Sequence, residues 1–361
     1  MAVQQEYTIN KAIQYSKPGT TETWIAELPI GKPGPGEVLV RMLYSGICHT
    51  DYAACTGTLG RAPPILTGQV GGHEGIGEVI EQGPGVTNPV IGSKVGIKWA
   101  AEVCLNCDNC LMGAENECSF LKVSGFYHPG TFQQYLITSA KCATPIPEGI
   151  DLAGAAPLMC AGTTVYAGLK RAHTKAGDWV LIMGAGGGLG HLAIQYAKAM
   201  GGSVIAMDIG SKEAFCKELG ADFFIDFTKF GTNEEVTAQV KMMVPGGVKV
   251  VLCCAGSKRA YEQAPGFLRP RGTLVCLGIP VHEGKPGERV PLFDLSSIVS
   301  NELNIIGLKS GSRQEAKECL NIAAMGLVVT HYQLRPMDAL TKSFIEMEDG
   351  NIKGRIVLDL R

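Results

Sequence analysis

WVLIMGAGGGLGHLAIQYAKAMG, residues 179–201, runs from five apolar residues through a glycine-rich turn into a segment with helical spacing of apolar side chains. A strand that feeds a helix through such a turn opens a βαβ unit. Its glycines let the backbone approach a diphosphate, which the helix's unpaired first-turn amides and positive dipole end then hold. The spacing is not a strict GxGxxG: counting back from Gly190 puts Gly187 in the middle and Ala185 first, with Gly184 one residue earlier and Gly188 and Leu189 completing the turn. The next apolar run, SVIAMD (203–208), ends in Asp208, 18 residues beyond Gly190. A carboxylate there accepts hydrogen bonds from adenosine ribose hydroxyls and repels an added 2′-phosphate, so NAD is the expected cofactor rather than NADP. A strand-end cap is the alternative for Asp208, and Lys212 either reaches the same ribose or is a solvated lysine at a helix start.

Outward from this turn the pattern repeats. KEAFCKELG (212–220), ADFFID (221–226), VTAQVKMMV (236–244), VKVVLCCAG (248–256) and TLVCLG (273–278) alternate helix and strand, the signature of a doubly wound parallel sheet over 161–304. Residues 1–160 differ: they are dense in Gly and Pro, with short β-rich runs such as EVLVRMLYSGI (37–47) and HEGIGEVIEQG (73–83), which predicts an irregular β-domain. After about residue 300 the alternation stops, and GRIVLDLR (354–361) suits a strand returning to the first domain, to which 305–361 is assigned.

A chain of 361 residues that is 45% hydrophobic and 18% charged can bury the core of two domains. Lys and Arg total 32 against 34 for Asp and Glu, so no charge bias points to nucleic acid or an anionic membrane, and neither partner is expected. No uninterrupted apolar run reaches the roughly 18 residues of a membrane helix. MAVQQEYTINKAIQ has neither the apolar core of a secretion signal nor the arginines of a transit peptide, which gives a cytoplasmic expectation. In a reducing compartment, 13 cysteines imply metal ligation and buried thiols rather than disulfides.

Their positions separate the two. Cys104, Cys107, Cys110 and Cys118 stand at CxxCxxCxxxxxxxC in a polar, loop-like stretch. Four thiolates close a tetrahedral shell, which makes a structural zinc site; an iron–sulfur cluster is the chemical rival. A catalytic zinc needs about three protein ligands and an open position. Cys48 in GICHTD, His73 in GGHEG and Cys160 in PLMCAGTT, each beside small residues, are the candidates. Asp51 is placed to hold the second ring nitrogen of His73. Glu74 either approaches the metal when substrate is absent or is a structural carboxylate.

These residues resemble the zinc-dependent medium-chain alcohol dehydrogenases, specifically their yeast-type tetrameric branch. Besides the motifs above, the resemblance includes GIKWA (96–100), GTFQQY (130–135), CAGTTVYAGLK (160–170), FIDFTK (224–229) and GRIVLD (354–359). It implies a GroES-like β-domain carrying both zincs plus a Rossmann domain, with the site in the cleft between them, and a homotetramer. It also implies that Cys48, His73 and Cys160 bind the catalytic zinc, that His49, Thr164 and Arg355 lie on the cofactor side, and that Thr50 takes the alcohol proton. The alcohol would pass hydride to NAD, or an aldehyde or ketone would receive it from NADH; a biosynthetic carbonyl reductase running in the second direction is the alternative. A non-catalytic cofactor-binding relative would be expected to have lost one of the three ligands. Three departures stand out: Ala53 replaces a histidine that often relays the proton, Leu59 replaces the tryptophan of ethanol-selective members while Trp99 is retained as a pocket aromatic, and GLKSGSRQEA (307–316) is shorter and lacks an aromatic. Leu59 predicts substrates bulkier than ethanol.

Overall fold

The computed structural model describes residues 8–59, 65–279, 293–350 and 352–361; the first seven, on which the reading of the N-terminus partly rests, lie outside them. Two compact units are formed. One comprises Met1–Cys160, Ser312–Leu320 and Tyr332–Arg361, the other Ala161–Gly311 and Asn321–His331.

The first unit opens with a hairpin of β1 (Ile9–Tyr15) and β2 (Thr23–Pro29), then β3 (Glu37–Gly46), α1 (His49–Thr56), β4 (Gly75–Gln82), β5 (Lys94–Ile97) and β6 (Ala100–Glu102). There follow α2 (Asp108–Leu111), β7 (Lys122–Ser124), β8 (Tyr127–His128), β9 (Tyr135–Ser139), β10 (Thr144–Pro145) and α3 (Leu152–Pro157). The second unit holds α4 (Thr163–Arg171), β11 (Trp179–Met183), α5 (Gly190–Ala199), β12 (Ser203–Asp208), α6 (Glu213–Glu218), β13 (Phe223–Asp226) and α7 (Asn233–Met243). It continues through β14 (Val248–Cys253), α8 (Lys258–Phe267), β15 (Leu268–Cys276), α9 (Leu295–Ser300) and β16 (Asn304–Gly307). Last come α10 (Arg313–Ala324), β17 (Tyr332–Pro336), α11 (Leu340–Glu348) and β18 (Arg355–Asp359).

In the first unit the main sheet runs β10-β5-β4-β3-β18-β17, with β9 also on β3. The returning strand expected at GRIVLD is β18, antiparallel to β3 with Val357 opposite Gly46. Val38, Val40, Met42, Val79, Val95, Phe132, Ile356 and Leu358 fill its core. In the second unit six strands are parallel in the order β13-β12-β11-β14-β15-β16. Helices cover both faces of such a sheet, which explains why β11 reads as an unbroken apolar run and β14 as one broken only by Lys249. The strand order reverses between β12 and β14, so a crevice opens beyond the carboxyl end of β11, where ligands of doubly wound folds bind. The α/β class with a separate β-domain is as expected.

One expectation needs correction. The alternation extends to β16, whose residues are mostly exposed and so carry no apolar signature. The helical run Leu152–Arg171 is long and apolar enough by length and composition to cross a membrane, although 89% of its most apolar window is buried, as in a core helix. Pro157, Thr163 and Thr164 interrupt the sequence pattern there without interrupting the burial.

Candidate active site and metal centres

Cys48, His73, Glu74 and Cys160 each bring one ligand atom into a cluster whose members lie within 4.8 Å of one another. Cys48 caps α1, where its backbone N–H donates to Asp51 Oδ2 at 2.9 Å. His73 and Glu74 immediately precede β4. Cys160 sits in a π-helical turn, Leu158–Gly162, between α3 and α4. Pro157 has no N–H to extend the regular ladder, and such wide turns are frequent at functional sites. Gly46 is required by this crowding, because a Cβ there would stand 2.2 Å from Glu74 Oε2.

The buried carboxylate of Asp51 lies 2.9 Å from His73 Nδ1, which places the proton on that nitrogen by the logic of the network. Nε2 is left buried with no hydrogen-bond partner. Burial alone would lower the imidazole's proton affinity, but Asp51 and then Cys48 raise it well above its ordinary value. A hydrogen bond from Cys160 draws the Cys48 thiol well below the ordinary range, and the same contact pushes Cys160 well up. An unpartnered imidazole nitrogen beside two such sulfurs is a donor set suited to zinc.

Glu74 is fully buried, and the Arg355 guanidinium binds both of its carboxylate oxygens. Burial pushes the carboxyl up to about 7 against the pull of Arg355. Arg355 Nε is also buried without a partner. The resemblance implied a cofactor-side arginine; in the structure its guanidinium rests on Glu74. Thr50 is half-buried and His49 exposed in the first turn of α1, with the imidazole 5.2 Å from the Tyr52 ring. Trp99 packs edge-on against His73 at 5.3 Å and lies 5.3 Å from Phe126. Leu59 is half-buried against the β-domain core, and Ala53 is buried within α1.

In the second unit, Gly184 adopts φ 73° at the carboxyl end of β11, a left-handed conformation that favours glycine. A Cβ on Gly190 would stand 2.2 Å from Gly184 O, so only glycine lets α5 start this close to the strand. Gly187, Gly188 and Leu189 form the half-buried turn between them. Asp208 Oδ2 accepts from Gly186 N and Oδ1 from Ile209 N, both at 2.8 Å, with Lys212 Nζ at 3.5 Å. The carboxylate is therefore fixed at the edge of the turn. On α4, Thr164 keeps a buried hydroxyl with no partner. These features fit a dinucleotide. Sequence reasoning passed over His191, whose Nδ1 lies 3.1 Å from Gly187 O and whose Nε2 accepts from His331 N at 3.4 Å; its place in the first helical turn was the available signal.

The sulfurs of Cys104, Cys107, Cys110 and Cys118 also lie within 4.8 Å of one another, with pairs at 3.5 and 3.9 Å. A metal bonded to four sulfurs at about 2.3 Å spaces them roughly 3.8 Å apart, whereas a multi-iron cluster stands between its cysteines and needs more room. The lobe therefore fits a single zinc. Backbone N–H groups of Cys104, Cys107 and Phe120 donate to sulfur at 3.3–3.4 Å, which favours thiolates.

A family model described as an alcohol dehydrogenase GroES-like domain matches residues 34–148, and one described as a zinc-binding dehydrogenase matches residues 188–324. The chain is 45% identical to alcohol dehydrogenase 2 of Emericella nidulans, over 97% of each. It is 40% identical to an alcohol dehydrogenase of Schizosaccharomyces pombe, again over 97% of each. Among solved structures, an NAD-dependent alcohol dehydrogenase superposes with a TM-score of 0.87 at 25% identity, covering 97% of this chain and 100% of that one.

Proposed function

Because the chain belongs to the zinc-dependent medium-chain alcohol dehydrogenases, we propose that Cys48, His73 and Cys160 hold its reactive zinc and that its preferred alcohols are bulkier than ethanol. It is an NAD-linked oxidoreductase interconverting alcohols with aldehydes or ketones. The observation that carries the site assignment is the convergence of these three donors around an unpartnered His73 Nε2.

When bound, zinc supplies a Lewis acid that favours alkoxide over alcohol near neutral pH, and the nicotinamide of NAD supplies a hydride acceptor. Cys48, His73 and Cys160 would hold the zinc, and Asp51 keeps the His73 ring in register. Glu74, held by Arg355, would be either a further carboxylate for the metal or a structural one. Thr50 takes the proton from the alcohol, and because Ala53 cannot carry it onward, water or the ribose hydroxyls do. Gly184, Gly187, Gly188, Leu189 and Gly190 would hold the diphosphate and Asp208 and Lys212 the ribose, while Thr164, His49 and Arg355 are cofactor-side residues by the family pattern. Cys104, Cys107, Cys110 and Cys118 hold the second, structural zinc. Trp99 and Leu59 border the substrate, and the small Leu59 leaves room.

A homo-oligomer is supported by β16, which among the described residues is an edge strand paired on one side only, to β15, with Ile305 exposed and, on neighbouring α9, Leu295 and Val299 at 73% and 77% exposure. A tetramer follows the family pattern. Thirteen free thiols, four of them in the zinc lobe, support a cytoplasmic setting.

Initial rates over a series from ethanol to aromatic alcohols, at pH 7 and pH 9, test the substrate reading. We expect kcat/KM to rise about tenfold or more from ethanol to an aromatic alcohol, with oxidation slower at pH 7 and accelerated there by Ala53→His. An ethanol optimum contradicts the pocket assignment; an unchanged pH profile in Ala53→His contradicts the proton route.

A further inference from the structure

Lys98 follows β5, next to Trp99, and is only 1% exposed. An ammonium buried so completely is costly unless paired. Its Nζ lies 3.9 Å from Oε1 of Glu115, which is itself buried. The same oxygen accepts from the backbone N–H of Arg313 at 2.6 Å and from its Nε at 3.1 Å, while Arg313 Nη1 donates to Lys141 O at 2.9 Å. No metal or cofactor role assigned above uses these three charges.

Glu115 thereby ties three pieces of the first unit together. It lies in the four-cysteine lobe, three residues before Cys118. Lys98 belongs to the segment that carries Trp99, and this segment is also fastened to β7: Ser124 Oγ donates to Lys98 O at 2.8 Å and Ser124 N to Trp99 O at 3.0 Å. Arg313 starts α10, just after the chain re-enters the first unit at Ser312. This is the shortened segment that lacks the family's aromatic.

We propose that Lys98, Glu115 and Arg313 form a positioning clamp that holds the zinc lobe and the start of α10 against Trp99, and so sets the width of the substrate pocket. The inference rests on Trp99 bordering the substrate. Ion pairs at the surface contribute little, but a buried set that is complete only in one arrangement specifies that arrangement.

The test compares Glu115→Gln, Lys98→Met, their combination and the half-exposed Arg313→Ala in the intact zinc- and NAD-binding protein. For each, the readouts are KM for ethanol, KM for benzyl alcohol, KM for NAD, zinc per subunit and Trp99 fluorescence isolated by replacing Trp24 and Trp179 with Phe. In Glu115→Gln and Arg313→Ala we expect the benzyl alcohol to ethanol ratio of kcat/KM to shift by about fivefold, with a changed Trp99 spectrum and KM for NAD within about twofold. The double variant should recover most of the ratio and spectrum, because removing both charges leaves neither buried alone. Unchanged ratios and spectra in Arg313→Ala, or a double variant worse than either single one, overturn the clamp; so does an equal rise in all three KM values. If the parent enzyme oxidises no alcohol, the functional reading itself fails, while the Trp99 spectra and their recovery still judge the clamp.

Discussion

With Asp51 Oδ1 2.9 Å from His73 Nδ1, the carboxylate decides which ring nitrogen remains for a metal and how the ring is aimed. Asp51 also accepts from Cys48 N, so one side chain orders two of the three proposed ligands. Asp51→Asn should weaken zinc retention and kcat/KM by roughly 10- to 100-fold, measured by zinc release to a chelator and by alcohol oxidation. Retention equal to the parent would show that the ring is aimed by something else. At this scale much was legible: cysteine and histidine flanked by small residues announce themselves, and Asp51 follows Cys48 by three positions. The Glu74–Arg355 pair was not, because 281 residues separate the partners and neither residue type is diagnostic. Nor was the Glu115 cluster, whose members look like ordinary surface charges in a linear reading.

Among the elements, the strand–turn–helix from β11 to α5 could be read almost completely, since its glycines and buried strand answer to local constraints: a left-handed φ at Gly184 and close helix–strand packing at Gly190. The π turn carrying Cys160 could not be, because residues 153–165 are buried on every side and show no apolar period for the extra residue to shift. The four-cysteine lobe contains only two single turns, α2 with no buried residue and a 3-10 turn over Glu115–Glu117, and its small apolar cluster consists of Ala100, Val103, Cys118 and Cys142 with the other cysteines packed against it. Metal binding must then supply much of its order. Cys107→Ser should remove the lobe zinc and lower the thermal midpoint by roughly 3–5 °C, as expected for a loss of about 3 kcal/mol in a chain this size. NADH binding, monitored by fluorescence, should persist because the dinucleotide turn lies in the other unit. A midpoint equal to the parent would mean that the lobe orders itself without metal.

For the molecule as a whole, alternating segments in the sequence announced a parallel sheet but not the strand order, which depends on which side of β11 each crossover places the next strand. They also missed β16, because an edge strand lacks the double-sided burial that makes central strands visible. That edge is where we expect a second copy to pair. Val299→Lys combined with Ile305→Lys should reduce the mass measured by light scattering, and an unchanged mass would exclude this edge as the contact. The central claim is that two metal clusters divide the labour, the closed four-thiol lobe giving structure and the Cys48–His73–Cys160 set giving chemistry. Zinc analysis of Cys160→Ser, alongside alcohol oxidation and NADH binding, tests it most directly. The account predicts a fall from about two zincs per subunit to about one, loss of oxidation by roughly a thousandfold or more, and NADH binding retained. Retention of both zincs with activity near that of the parent would contradict it.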